Sequence, residues 1–431
     1  MERNLRTHGV IRLPKELAVG VLEYLWALIV VLNGNSVYNA NVFRDYHLLE
    51  LCLLLTAFLL AVLWFTGRIR IRTSWMSIAV GLALYSVVYV SVRQGQMSAG
   101  DFASLFVMGL PLMFLLFTSM HEQGRLIPLI RKLADVVCVL AAISLFFWLF
   151  GVILKQIKPN MNTVINWGYQ RYIPGFYGLH FQVQIDTTFF QEEYLFRNSG
   201  IFTEAPMLNL WLDIALGVEL FLREKVSGKR VALLAVTIFT TLSVTGVFFL
   251  MVCVLLYLFR GAAKRQGRRR VLLLVALVLL PVLAVLIGFS VTVKTDTQSY
   301  LMRISDYSAG VMLWMDHPIF GSGYGDLKSL QEYMYSPNGI LGFSNSVTAV
   351  LGTGGLWIAM LFYVPHFGSV FTKWSGDHNY AKFSICHLFL FCTTAFFGRY
   401  IAVVMIAFQL ALLVGRPQGG RNVRGGIEDD Q

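Results

Sequence analysis

Residues 271–291 read VLLLVALVLLPVLAVLIGFSV, a run without a single charged or amide side chain. Such a run matches the hydrocarbon of a bilayer, which takes about 20 residues of helix to cross. Comparable runs recur from residue 17 to residue 414. Twelve spans are expected, at 17–32, 46–66, 74–91, 101–118, 133–154, 203–222, 230–244, 246–259, 271–291, 344–363, 383–397 and 399–414. The pairs 230–259 and 383–414 also read as single bent units. Hydrocarbon offers no water to open backbone groups, so helices are the default. The expected fold class is an all-α polytopic membrane protein of about 12 transmembrane helices. Composition agrees: 56% of residues are hydrophobic, 14% are charged and the mean hydropathy is +0.64.

A net charge of +11 invites a nucleic-acid partner, but its distribution speaks against one. Lys and Arg gather in alternate loops: Arg68, Arg70 and Arg72; then Arg223, Lys225, Lys229 and Arg230; then RGAAKRQGRRR at 260–270. That alternation is the positive-inside pattern and places both termini in the cytoplasm. The basic excess is a topology signal with some affinity for anionic lipid, and no nucleic-acid motif accompanies it. The cysteines 52, 138, 253, 386 and 392 all fall in apolar runs, without disulfide or zinc spacing, and read as small core residues. No His spacing suits a metal. The first run, 17–32, lacks a small-residue cleavage site and is expected to stay as a helix.

Six segments follow: a five-helix membrane half at 1–154, an outer loop at 155–202, central helices at 203–291, a second outer loop at 292–343, C-terminal helices at 344–414 and a cytoplasmic tail at 415–431. Long loops of this kind are functional more often than idle. The first is dense in rings, among them Trp167, Tyr172, Phe176, Tyr177 and Phe181, and is expected to fold as a cap on the membrane surface.

Three stretches carry polar groups that chemistry could use. RNSGIFTEAPMLNLWL leads from the first loop into a helix, with Thr203 as the expected N-cap and Pro206 in the first turn. The N–H groups of that helix would point outward beside Arg197, a pairing suited to phosphate or carboxylate. An interfacial arginine reaching headgroups is the plainer alternative. SYLMRISDYSAGVMLWMDHPIFGSGYGDL, at 299–327, holds Arg303, Asp306, Asp316 and His317. Its segment 301–315 suits an amphipathic helix, and GSGYG reads as a tight turn because a dinucleotide fingerprint needs other spacing. Arg303 as a mere salt-bridge partner of Asp306 stays open. GFSNSVTAVLGTGGLW places Ser344 and Asn345 at the outer end of a span whose glycines suit close helix packing. Within the spans, Asp213 is expected to pair with a basic residue on a neighbouring helix. Glu23, Glu50, Asp101 and Asp135 are expected to be solvated or capping.

In this order the three stretches resemble the bacterial O-antigen and capsular polysaccharide polymerases of the Wzy type and the related O-antigen ligases. RNSGIFTEAP resembles an R…GIF.EP element, with Ala205 interposed before Pro206. RISDYSAGVMLWMDHPIFGSGYG resembles R…W…HP.FG.GYG, and NSVTAVLGTGGLW the span that follows. TLSVTG, at 241–246, is similar to the threonine-serine turn usually found between the two loops. The likeness covers about half the chain. The ligases carry a histidine at the position of Ser344, ahead of the glycine matched by Gly355, so the departure tilts the resemblance toward a polymerase.

The resemblance implies a GT-C-like glycosyltransferase architecture in a bacterial plasma membrane. It implies transfer, with inversion, of a glycan from a polyprenyl diphosphate to a lipid-linked repeat unit on the outer face. The implied partners are that lipid-linked oligosaccharide, membrane lipids and a chain-length regulator; neither cofactor nor metal is implied. Arg197 and Arg303 are expected to clamp the diphosphate. Glu204, then Asp306, then His317 are the expected bases, and Arg171, Tyr172, Ser344 and Asn345 are expected to contact glycan. A ligase with another acceptor is the runner-up. A flippase would want charge through the bilayer centre, where only Asp213 qualifies.

Overall fold

The computed structural model describes residues 15–93, 97–167, 169–184, 196–258, 298–334, 343–371 and 378–414. Seven described helices are long and apolar enough to cross a membrane. They are α1 (Lys15–Asn33), α2 (Leu48–Phe65), α3 (Thr73–Val92), α4 (Ala99–Glu122), α5 (Leu126–Ile153), α6 (Ala205–Leu222) and, taken out of chain order, α11 (Ser346–Phe371). Between α6 and α11 lie α7 (Gly228–Thr240), α8 (Val244–Leu258), α9 (Gln298–Asp316) and α10 (Leu327–Glu332). The last two are α12 (His378–Thr393) and α13 (Tyr400–Val414). The expected span 271–291 lies outside the described residues.

Of the twelve expected spans, seven stand as helices of crossing length among the described residues. At 1.5 Å per residue α7 reaches about 20 Å, against roughly 30 Å of hydrocarbon. α7 and α8 form a short hairpin with its turn at 241–243, and α12 and α13 one with its turn at 394–399. The expected 301–315 helix is present as α9.

The fold is not purely helical. An antiparallel sheet in the order β1 (Met161–Trp167), β2 (Tyr169–Phe176), β3 (His180–Phe181) forms part of the first long loop. Val164 lies opposite Tyr172 and Gly175 opposite Phe181. Ile165, Ile173, Phe181 and Val183 bury one face of the sheet against Val37. Phe176 packs with Phe147 and Val152, which ties the sheet to the end of α5. Those alternating inward residues are the period-2 pattern of a half-buried strand, hidden in the sequence by ring density on both faces.

Inside lipid, burial of apolar surface does not by itself draw helices together, so close contact must. Gly352 of α11 lies so near α9 that a Cβ there would stand 2.7 Å from the Gly310 carbonyl oxygen. The bundle interior is filled by Trp26, Trp211, Phe106, Phe114, Phe117, Tyr324 and Tyr400, all fully buried.

The two ends of the bundle differ in chemistry. At one end Arg68 pairs with Glu16 (2.8 Å), Arg72 with Glu122 (3.1 Å), and Arg125 (3.4 Å) and Lys132 with Glu23. Arg223 and Arg230 close on Asp135 and Glu219 together. Glu23 and Asp135 are therefore ion-paired, correcting the expectation that they serve as solvated or capping groups. Asp213 corrects another: its partner is Asn209 on its own helix, at 2.6 Å. The opposite end gathers the sheet, the N-terminus of α6, both short-hairpin turns and the N-terminus of α11.

Candidate functional site

Residues 196–204 run as an extended strap before α6. The Arg197 N–H donates to the Gln184 carbonyl and the Asn198 N–H to the Thr240 carbonyl, at 2.8 and 3.1 Å. The Phe181 N–H reaches the Gly200 carbonyl at 2.8 Å, and Phe202 bridges to Ser36 after α1. Gly200 has φ +53, a left-handed conformation that glycine adopts without a Cβ penalty. The strap is thus sewn to the α1–α2 loop, to the sheet and to the α7–α8 turn.

Thr203 is not the N-cap. Its N–H and hydroxyl both donate to the Asn35 carbonyl at 3.1 Å, which draws the residue away from the helix. Glu204 stands at the cap in an extended conformation, and its side chain makes no capping hydrogen bond. Instead the Trp167 indole donates to the Glu204 carboxylate, and Arg197 and Arg171 lie within electrostatic reach. Burial raises the Glu204 pKa, and those three groups pull it back.

The Arg197 guanidinium donates through Nε to the Thr241 carbonyl at 2.7 Å. Arg303, on α9, donates through Nη1 to the Thr245 hydroxyl at 3.1 Å. Thr241 and Thr245 are four residues apart, at most about 14 Å even if the chain were fully extended. Two arginines from distant segments therefore end on one turn, the TLSVTG element.

Arg303 forms no ion pair with Asp306 among the described contacts, although they lie one helical turn apart. Asp306 is 3% exposed. Its Oδ2 accepts the Ser344 N–H at 2.9 Å, and its Oδ1 has no hydrogen-bond partner within bonding distance among the described residues. Burial pushes the Asp306 carboxyl up to about 6, against hydrogen bonding from Ser344 and the charge of Arg303. Asn345 is fully buried and caps α11: its Oδ1 accepts from the Thr348 N–H at 2.9 Å, while its Nδ2 has no partner among the described residues.

The HPIFGSGYG segment has a structural task. α11 breaks at Gly355, where φ is +61 and ψ −171. The freed groups are taken up by that segment: the Leu356 and Trp357 N–H groups donate to the Pro318 and Ile319 carbonyls, both at 2.9 Å, and the Gly323 N–H donates to the Thr353 carbonyl at 2.9 Å. Broken backbone at membrane depth is tolerated where protein satisfies it. The Tyr89 hydroxyl on α3 seals the junction through the Phe320 and Thr353 carbonyls. His317 is exposed where α9 ends, about 16 Å along the helix from Asp306. Tyr172 is 77% exposed on β2, beside Arg171.

Arg197, Arg303, Asp306, Ser344 and Asn345 thus fall at one end of the bundle with Glu204, whereas His317 stands off. Sequence reasoning missed Gln184, Asn35 and Thr240, which hold the strap. No motif marks them, because each acts through backbone or amide contacts that any polar residue at that place can make.

Residues 231–364 match the family model described as O-antigen ligase. That region runs from α7 to past the Gly355 break and includes Arg303, Asp306, Ser344 and Asn345. No curated protein matches the chain.

Proposed function

From membership of the O-antigen ligase superfamily, we propose that this membrane protein is a polysaccharide polymerase. It moves a growing glycan from a polyprenyl diphosphate to a sugar hydroxyl of a lipid-linked repeat unit. The observation that carries this reading is the meeting of Arg197 and Arg303 on the Thr241–Thr245 turn. The ion-paired end rich in Lys and Arg is the cytoplasmic one by the positive-inside pattern, so the arginine turn faces outward.

Diphosphate carries dense charge on planar-accessible oxygens, which guanidinium forks bind bidentately. The acceptor hydroxyl oxygen attacks the anomeric carbon of the donor. The bond from that carbon to the phosphate oxygen breaks, and its electron pair leaves with the lipid diphosphate, where Arg197 and Arg303 stabilise the growing charge. The hydroxyl proton passes to a carboxylate. Asp306 is assigned that task ahead of Glu204, because it lies beside Ser344 on the helix that carries Arg303. Its carboxyl, held at about 6, is mostly ionised at neutral pH and close enough to it to accept a proton. Where the ligases carry histidine this chain has Ser344, and the Ser344 N–H is bonded to Asp306, so the carboxylate occupies the vacated neighbourhood.

The exposed face of the sheet, with Tyr172 and Arg171, is suited to the sugar chain, since rings offer amphipathic contact area. The test is incubation of purified protein in lipid with a lipid-linked repeat unit. A ladder of longer glycans is expected, and its absence overturns the reading.

A further inference from the structure

All five cysteines read in sequence as small core residues, yet two of them meet. Cys253 on α8 and Cys386 on α12 are 133 residues apart, and their Sγ atoms lie 3.5 Å from one another. Both side chains are buried. Among the described residues no group of three metal-ligating side chains forms, so the pair is not read as a metal site.

The packing around the thiols explains their meeting. The Phe248 and Phe249 rings of α8 lie 5.5 and 5.8 Å from the Phe389 ring of α12. Cys253 follows Phe249 by about one turn, and Cys386 precedes Phe389 by about one turn. The two helices therefore run antiparallel, with rings and thiols along one seam. At 1.5 Å per residue, the steps from Val244 to Cys253 and from Cys386 to Thr394 are about 14 and 12 Å. The sulfurs thus share one depth below the outer turns.

A disulfide needs an S–S distance of about 2.0 Å, and staggered rotation about the two Cα–Cβ bonds can close the remaining gap of about 1.5 Å. Thiols buried in this way are poorly reached from water. We propose that Cys253 and Cys386 form an oxidisable pair that closes a disulfide between α8 and α12, with a lipid-soluble quinone as electron acceptor. Both S–H bonds break and one S–S bond forms. The two electrons and two protons pass to the quinone, which leaves as the quinol.

The bond would join the two hairpins that flank the candidate site. α8 begins at the turn where Thr245 receives Arg303. α12 ends where the Cys392 carbonyl accepts the Tyr307 hydroxyl and the Thr394 carbonyl accepts the Ser346 hydroxyl at 2.7 Å. Oxidation therefore locks the arginine turn to the segment that holds the N-terminus of α11. Nothing in this step depends on the glycan chemistry.

The experiment treats full-length protein in phosphatidylcholine nanodiscs with decylubiquinone, alkylates it with N-ethylmaleimide in denaturant and maps the peptides by mass spectrometry. Before treatment all five cysteines should be alkylated, as all are free thiols. Afterwards two should be lost to alkylation, with one linked peptide joining Cys253 to Cys386, and dithiothreitol should restore them. Five alkylated cysteines after treatment overturn the proposal with no variant needed, as does a linked peptide between any other two. Oxidised glutathione, which stays in water, should leave all five alkylated; equal loss of thiols with it overturns the lipid route. The thermal midpoint of the oxidised wild type should rise above that of the reduced protein, and Cys253→Ser and Cys386→Ser should each show no such rise. An unchanged wild-type midpoint, or the same rise in either variant, overturns the lock.

Discussion

Asp306 offers the sharpest quantitative test. Burial holds its carboxyl at about 6, so as a base it is about nine-tenths ionised at pH 7 and about one-tenth at pH 5. Initial transfer rates in nanodiscs should therefore fall about tenfold between those values. Asp306→Asn keeps an acceptor for the Ser344 N–H and removes the titration. It should lower the rate by roughly 10²–10⁴-fold and erase the acid limb. Stability moves the other way. A buried carboxyl with a raised pKa favours the folded state at low pH, and that advantage is lost as pH rises from about 4 to about 6, by up to about 3 kcal/mol. Thermal midpoints of wild type should drop across that window and then level, while those of Asp306→Asn should stay flat. An acid limb that survives unchanged in the Asn variant, or a flat wild-type profile, would refute the assignment.

Arg197→Ala and Arg303→Ala should each abolish polymer in cells while membrane levels of the protein hold, measured by glycan gels and immunoblot. Wild-type chain lengths in either variant would rule out the diphosphate clamp. Glu204→Gln should reduce kcat without reducing insertion, and normal kinetics would remove the residue from the site. His317→Ala should leave turnover nearly unchanged, because the side chain is exposed well away from Asp306; a fall of about 10²-fold or more would restore it as the base. Gly355→Ala forces a Cβ into the backbone of Gly321 and Ile319 at φ +61, adding at least about 1–3 kcal/mol of backbone strain to that collision. Its thermal midpoint in detergent should drop sharply, and an unchanged midpoint would show that the break is not clamped as described.

Helix 301–315 and the GSGYG turn were legible because amphipathic period and glycine punctuation are local properties. The sheet was not, since its rings alternate between a core face and a solvent face only once the neighbours Val37 and Phe147 are in place. Thr203 reads as a cap by type, and it loses that role to an acceptor, Asn35, that lies 168 residues away. An Arg303–Asp306 ion pair stays open in the sequence, because the spacing brings the two residues to one face without deciding whether they turn toward each other.

Membrane residence, the basic end of the helices and the segments that carry arginine and carboxylate are readable from the order of residues alone. Those facts follow from composition and from the cost of placing charge in hydrocarbon. It took the folded arrangement to show that Arg197 and Arg303 reach one turn, that Asp306 is buried against Ser344, and that α11 breaks against the HPIFGSGYG segment. Each depends on backbone groups from remote segments meeting where lipid supplies no substitute partner.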